Sequence, residues 1–193
     1  MTEAFNNVIT QVPKQYKYLL KKGILCLPIS LFYRDYEKNK NEFINKIKND
    51  INISSNSMHT YTSDVPLNTN EINNINNILW HYVREYYELW DQKIPKYNGG
   101  FSLIYNDKFD KKLDLHMDDS IYTINMCIKS KDVEGSNVIF NGTKTNCYTR
   151  EYNPKDMCVP LSEDYMLIHL GDHPHRTEEI IEGERINIIL WFK

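Results

Sequence analysis

The last stretch of the chain constrains the fold most. From position 185 to 192, Arg185, Asn187, Ile189 and Trp191 share one parity, and Ile186, Ile188, Leu190 and Phe192 share the other. A strand sends successive side chains to opposite faces, so one face here is wholly apolar and has to pack on other elements. The opposite face then looks into a barrel and carries a guanidinium there. An inward Arg185 without a partner would be costly, so an anionic ligand is expected beside it.

Upstream, the pattern changes halfway. Residues 10–22 read as a short helix stopped by Gly23, and 24–27 as a strand. Asp35 is placed to cap a second helix with Phe43, Ile44 and Ile47 on one face. The strongest helix opens with Asn68 and Glu71 at capping-box spacing. Its stripe runs through Ile72, Ile75, Leu79, Val83, Tyr86 and Trp90, and Pro95 stops it. The polar segment 52–68 between the helices reads as a turn-rich loop, a candidate lid or substrate rim. After Gly99 and Gly100, apolar runs at 101–105, 120–128, 137–140, 146–152, 164–170 and 184–192 have strand length and are rich in Ile, Val, Tyr and Phe. This is an α+β chain, mainly β: a sandwich or barrel buttressed by N-terminal helices. With 193 residues and no visible linker it reads as one domain, 1–97 mostly helical support and 98–193 the β core.

Composition removes several function classes. A formal net charge of −3 argues against a nucleic-acid partner, which needs Lys and Arg in excess on one face. The four cysteines, Cys26, Cys127, Cys147 and Cys158, form no C-x-x-C pair, so they support neither a zinc finger nor a disulfide framework. No run approaches the roughly 20 apolar residues that span a bilayer. The apolar run 23–32 contains Pro28 and Ser30 and reads as a buried strand rather than a signal sequence. An intracellular protein, cytoplasmic or nuclear and without a membrane partner, is the expectation.

Two short motifs carry the chemistry. In Leu115-His116-Met117-Asp118, positions i and i+2 of an extended chain present an imidazole and a carboxylate side by side. Far downstream, Gly171-Asp172-His173-Pro174-His175 is followed ten residues later by Arg185, after a turn at Ile181-Glu182-Gly183-Glu184. If the flanking segments pair antiparallel, His175 ends one strand and Arg185 begins the next. Two imidazoles and one carboxylate with open positions form the facial triad of non-haem Fe(II) oxygenases. A guanidinium suits a carboxylate because its donors form a matching fork.

With those residues in view, the stretch from His116 to Trp191 resembles the 2-oxoglutarate- and Fe(II)-dependent dioxygenase superfamily, in particular its prolyl and lysyl hydroxylase-like branch. The resemblance rests on L-D-L-H-M-D-D-S-I-Y-T-I-N-M-C-I, E-G-S-N-V-I-F-N-G and H-L-G-D-H-P-H-R-T-E-E-I-I-E-G-E-R-I-N-I-I-L-W. Upstream, Asn56-Ser57-Met58-His59-Thr60-Tyr61 looks like a motif that precedes the core in one group of these oxygenases, so the likeness covers about residues 52–193. It implies a double-stranded β-helix, or jelly roll, with His116, Asp118 and His175 on iron and Arg185 on 2-oxoglutarate. It further implies that Tyr105, Thr123, Asn125 and Trp191 contact the co-substrate or line its site, with Cys127 on the same inward face as Thr123 and Asn125. The resemblance implies O2 as the oxidant, ascorbate as a candidate reductant, and succinate and CO2 as the by-products of hydroxylating a protein or peptide side chain. A small molecule or an N-methyl group is the alternative substrate. Ser136 and Asn137 depart from the family pattern after Gly135, which leaves the shape of that loop open.

Other readings compete at single residues. His173 rivals His175 as a ligand, and the ten-residue spacing to Arg185 favours His175. His169 reads as a satisfied core histidine, Asp119 as structural, and Asp114 and His59 as solvated or locally bonded residues near an entrance. A zinc hydrolase could use the same three ligands, and a catalytically silent jelly-roll binding module could share the fold; the arginine argues against the first and the intact set against the second.

Overall fold

The computed structural model describes residues 6, 9–54, 58–148, 151–153 and 155–193. In chain order, a 3-10 helix (Lys14–Lys22) leads into β1 (Leu25–Pro28), a short 3-10 turn (Ile29–Leu31) and α1 (Tyr36–Asp50). Strands β2 (Asn52–Ile53) and β3 (Tyr61–Thr62) precede α2 (Thr69–Tyr86). The β half follows as β4 (Tyr97–Tyr105), β5 (Leu113–His116), β6 (Tyr122–Gly135), β7 (Val138–Phe140), β8 (Met157–Val159), β9 (Tyr165–Leu170), β10 (His175–Thr177) and β11 (Ile180–Phe192).

These strands form two antiparallel sheets, a larger one ordered β1-β9-β6-β11-β4 and a smaller one ordered β5-β10-β7-β8, with β2 and β3 paired apart from them. Successive strands alternate between the sheets over much of the β half, which is the double-stranded β-helix anticipated from the sequence. The apolar parity of β11 does what its pattern demands. Ile186, Ile188, Leu190 and Phe192 are fully buried in one cluster with Ile72, Ile75, Leu79 and Val83 of α2. The helices thus cover the outer face of the larger sheet and leave its inner face to the smaller one. Among the described residues, no helix is long and apolar enough to cross a membrane.

The capping box at Asn68 forms as the spacing predicts: its side chain accepts from the Asn70 and Glu71 N–H groups, and Glu71 reaches back to the Asn68 N–H. Other expectations need correction. Asp35 sits at the N-terminus of α1 but its side chain makes no capping hydrogen bond. Helix α2 ends at Tyr86, short of Trp90, because the chain turns through Glu88 at φ 58. Trp90 is consequently 52% exposed, with the Arg84 guanidinium over its ring, and does not join the core. The expected strand at 146–152 is absent from the described residues there, positions 149 and 150 lying outside them; β8 forms further on instead. The segment 52–68 contains the β2–β3 pair as well as turns.

The segment around Gly183 is no turn. Gly183 lies inside β11 at φ 89, where pairing with β6 slips at two places. A Cβ there would meet the Asp132 carbonyl oxygen at 2.3 Å, so the bulge needs glycine. The reversal therefore comes earlier, between β10 and β11. His175 begins β10 rather than ending a strand, and Arg185 lies in the interior of β11.

Asn68→Ala should destabilise the fold by about 1 kcal/mol through the lost cap, and Ile188→Ala by about 2–5 kcal/mol through the cavity left under α2. Chemical denaturation of the two variants against the unsubstituted chain measures both.

Candidate metal and co-substrate site

A cavity of about 150 Å³ opens between the two sheets. Its wall draws on Phe101, Leu103 and Tyr105 of β4, His116 at the end of β5, Thr123 and Asn125 of β6, His175 and Thr177 of β10, and Ile189 and Trp191 of β11. The inward parity of β11 thus supplies the apolar wall on one side.

Register brings the two motifs together. His116 and His175 are direct partners across β5 and β10, and their ring centres lie 4.2 Å apart. Asp118 follows just beyond β5, held by its N–H to the Gly171 carbonyl at 2.8 Å. That approach requires glycine, because a Cβ on Gly171 would fall 2.1 Å from the Ser120 carbonyl oxygen. Oδ1 of Asp118 is then 3.6 Å from His116 Nε2, and Oδ2 is 3.8 Å from His175 Nε2. One ligand atom from each of the three lies within 4.8 Å of the others.

The imidazoles are oriented locally. His116 Nδ1 donates to the Asp114 carbonyl and His175 Nδ1 to the His173 carbonyl, each at 2.9 Å. With the hydrogen on Nδ1, the Nε2 lone pairs face Asp118, the presentation a metal ligand needs. Burial pushes the His175 pKa down to about 3, so this ring is neutral at physiological pH. For Asp118, burial opposes the charge, but His169, His175, the Thr123 hydroxyl and His116 outweigh it and the pKa is lowered. The Thr123 hydroxyl donates to Asp118 Oδ2 at 2.6 Å.

Arg185 is 2% exposed. Its Nη1 donates to the Ser136 carbonyl, and its guanidinium lies over the Tyr105 ring at 5.1 Å. Nε and Nη2 have no hydrogen-bond partner among the described residues. Burial pulls its pKa down. Arg185 does not itself line the cavity, and Tyr105 connects the two: its ring faces the guanidinium, and its hydroxyl donates to Thr177 Oγ1 at 3.2 Å on the cavity wall. The departing loop proves to be what holds the guanidinium. Gly135 and Ser136 both take positive φ, at 76 and 55, which turns the Ser136 carbonyl inward.

The remaining candidates divide. Asn125 lines the cavity and accepts from Asn187 Nδ2. Trp191 lines it too and packs edge-on against Phe101 at 5.2 Å. The Thr123 hydroxyl is committed to Asp118. Cys127 is buried away from the cavity. His173 Nε2 accepts the Lys144 N–H, and its carbonyl orients His175, so it supports the ring beside it. Asp119 pairs with Lys193 at 2.6 Å. Asp114 is exposed and supplies the carbonyl that fixes His116. His59 is buried on the cavity wall with its ring 4.9 Å from Phe101, not at a solvated entrance. Its loop is pinned by Asp110, whose carboxylate accepts the Thr60 and Tyr61 N–H groups. Asn56 and Ser57 of the same motif lie outside the described residues.

Sequence reasoning missed His169. It is satisfied at one nitrogen only: Nδ1 lies 2.8 Å from the Leu170 carbonyl, whereas Nε2 faces Asp118 Oδ2 at 3.9 Å. Burial pushes its pKa down to about 4. The signal was available in strand parity, since Met166, Ile168 and Leu170 share one face and leave His169 on the other.

The double-stranded β-helix, the two imidazoles and carboxylate that converge at its cavity, and the buried guanidinium behind Tyr105 form the geometry against which the comparisons with known proteins are set. No family model matches the sequence. The chain is 32% identical over 97 residues to the 2-oxoglutarate and iron-dependent oxygenase domain-containing protein CP2 of Arabidopsis thaliana, a match over 48% of this chain and 24% of the relative. The chain thus spans about a quarter of the length of that relative. Among solved structures it resembles a Pseudomonas putida prolyl-4-hydroxylase, with a TM-score of 0.61, 10% identity and 98% of each chain covered. It also resembles a Trichoplax adhaerens prolyl hydroxylase in complex with a hypoxia inducible factor peptide fragment, with a TM-score of 0.54, 13% identity and 97% and 88% of the two chains covered. The chain is thus similar in sequence to an oxygenase-domain protein over about half its length and shares its fold with these solved structures.

If the trio holds a divalent ion, Thr123→Val should weaken Fe(II) or Co(II) binding by roughly 10–100-fold by releasing the carboxylate. Anaerobic calorimetric titration measures this, and an unchanged affinity would show that the hydroxyl has no part in shaping the site.

Proposed function

We propose that this chain is an Fe(II)- and 2-oxoglutarate-dependent oxygenase that hydroxylates a side chain in a protein or peptide. The observation that carries the reading is the buried Arg185, with two guanidinium nitrogens lacking partners among the described residues, behind Tyr105 on the wall of a cavity that holds two imidazoles and a carboxylate. The donor set fits the cofactors. Imidazole and carboxylate together suit Fe(II), and an unpaired buried guanidinium fits the distal carboxylate of a 2-oxo acid.

His116, Asp118 and His175 would hold the iron. Bound with 2-oxoglutarate and O2, that iron would supply oxidative decarboxylation to succinate and CO2 coupled to insertion of a hydroxyl group into a substrate C–H bond. The rest falls to the chain's own residues. Arg185 binds the co-substrate's distal carboxylate, and Tyr105 and Thr177 offer hydroxyls between the guanidinium and the cavity. Asn125 offers a polar contact on the neighbouring strand. Phe101, Leu103, Ile189 and Trp191 keep one wall apolar, which excludes water from the reacting centre.

The substrate class rests on two supports. One similar fold is that of a prolyl hydroxylase in complex with a peptide fragment. At the mouth, Met58 and Met117 line the cavity while 40% and 60% exposed, and Leu115 beside them is 55% exposed. Such adaptable apolar side chains suit a polypeptide passing across the opening.

His116→Ala and Asp118→Ala should abolish 2-oxoglutarate-dependent succinate release. Arg185→Ala should lose about 2–5 kcal/mol of co-substrate affinity, roughly 30-fold or more, while Fe(II) still binds. Succinate assays and anaerobic titrations read these out. Wild-type 2-oxoglutarate affinity in Arg185→Ala would sink the assignment, and metal-dependent hydrolysis without succinate would point to a zinc enzyme.

A further inference from the structure

Ser136 carries two penalties that glycine would avoid. Its φ is 55, in the left-handed region where an L side chain is strained. Its side chain is fully buried, and Oγ has no hydrogen-bond partner among the described residues, so a hydroxyl is desolvated without return. The backbone of the residue is already committed. The Ser136 N–H donates to the Glu179 carbonyl at 3.2 Å, and the Ser136 carbonyl accepts Arg185 Nη1. Only the hydroxyl is left over.

The guanidinium that Ser136 touches is short of acceptors. Nε and Nη2, the side-on pair of donors, have no partner among the described residues. The ionisable side chains that act on it, Cys127 and Tyr105, are held in their neutral forms by burial and bring no counter-charge. Two touching residues thus leave three buried polar atoms unpaired, and each of the three can donate. An anion with several lone pairs answers all of them. A carboxylate offers about four lone-pair sites. Two match the fork of Nε and Nη2, and another can accept the Ser136 O–H. A single water could not serve all three donors and would leave the charge unbalanced.

We propose that Ser136 is a binding residue of the co-substrate site, its hydroxyl donating to the distal carboxylate of 2-oxoglutarate while Arg185 holds the same group through Nε and Nη2. The inference rests on the reading of Arg185 as the anchor of that carboxylate. It follows that the side chain at 136 raises co-substrate affinity and lowers the stability of the ligand-free fold.

The test compares Ser136→Ala and Ser136→Gly with the unsubstituted full chain, each loaded anaerobically with Fe(II). Calorimetric titrations with 2-oxoglutarate and with pyruvate, a 2-oxo acid that lacks a distal carboxylate, read the affinities. Both variants should bind 2-oxoglutarate roughly 10-fold or more weakly and bind pyruvate as the unsubstituted chain does. Ligand-free Ser136→Gly should also melt at a higher temperature, because glycine relieves the strain at positive φ, which separates weaker binding from a damaged fold. Unchanged 2-oxoglutarate affinity, or an equal loss for both acids, would overturn the proposal. Arg185→Ala then separates the two readings: a loss confined to 2-oxoglutarate keeps Arg185 as the anchor and removes Ser136 alone, whereas no such loss removes both. Either Ser136 variant that folds gives the deciding comparison.

Discussion

A guanidinium shut away from water is the constraint around which this fold is arranged. Arg185 has one backbone acceptor, the Ser136 carbonyl, and one aromatic face, that of Tyr105. Neither contact matches what water would give, and burying a charge that is incompletely paired costs several kcal/mol. The structure tolerates this because the same strand, turned over, makes some of the best apolar contacts in the chain. Ile186, Ile188, Leu190 and Phe192 bury completely against the helical layer. One strand thus offsets the penalty on its inner face with the packing on its outer face. It also explains why the N-terminal helices are needed at all, since without them that outer face would lie open to water.

The proposed cup is assembled from distant segments by sheet register. His116 ends one strand, His175 begins its neighbour, and the antiparallel pairing sets them opposite each other. A glycine then lets Asp118 approach between them. The guanidinium reaches the same region by another route, through a bulged strand in the opposing sheet. The two sheets therefore divide the work: the smaller carries two imidazoles, while the larger carries the cation and the apolar wall.

How much of this was legible follows from what each signal measures. The H-x-D triplet, the distal histidine and the inward arginine are patterns of spacing and parity; His116, Asp118 and His175 line one cavity, while Arg185 lies behind Tyr105 and outside its wall. The capping box is equally local and formed as read. Boundaries were less legible because they depend on φ values that spacing does not reveal. Glu88, at φ 58, ends α2 early and strands Trp90 in solvent, although Trp90 keeps the apolar periodicity. Gly183 looked like a turn because glycine commonly makes one, yet its positive φ serves a bulge inside a long strand. His169 escaped because a lone histidine in an apolar strand reads as core. Only the pairing of β9 with β6 shows it beside Asp118.

The histidines and the aspartate are also held by different means. Each imidazole donates to a carbonyl one or two residues away in the chain, Asp114 for His116, Leu170 for His169 and His173 for His175. Their tautomers are consequently set by local backbone and do not depend on long-range packing. Asp118 is held by Gly171 through its N–H and by Thr123 through its carboxylate. Gly171 is far along the chain, and Thr123 stands on β6, the central strand of the larger sheet. A small shift between the sheets would leave the rings correctly protonated but would move the carboxylate among them. The carboxylate is therefore the point at which the packing of the whole sandwich is transmitted to the proposed cup, through its neighbours on β6 and at the β9–β10 turn.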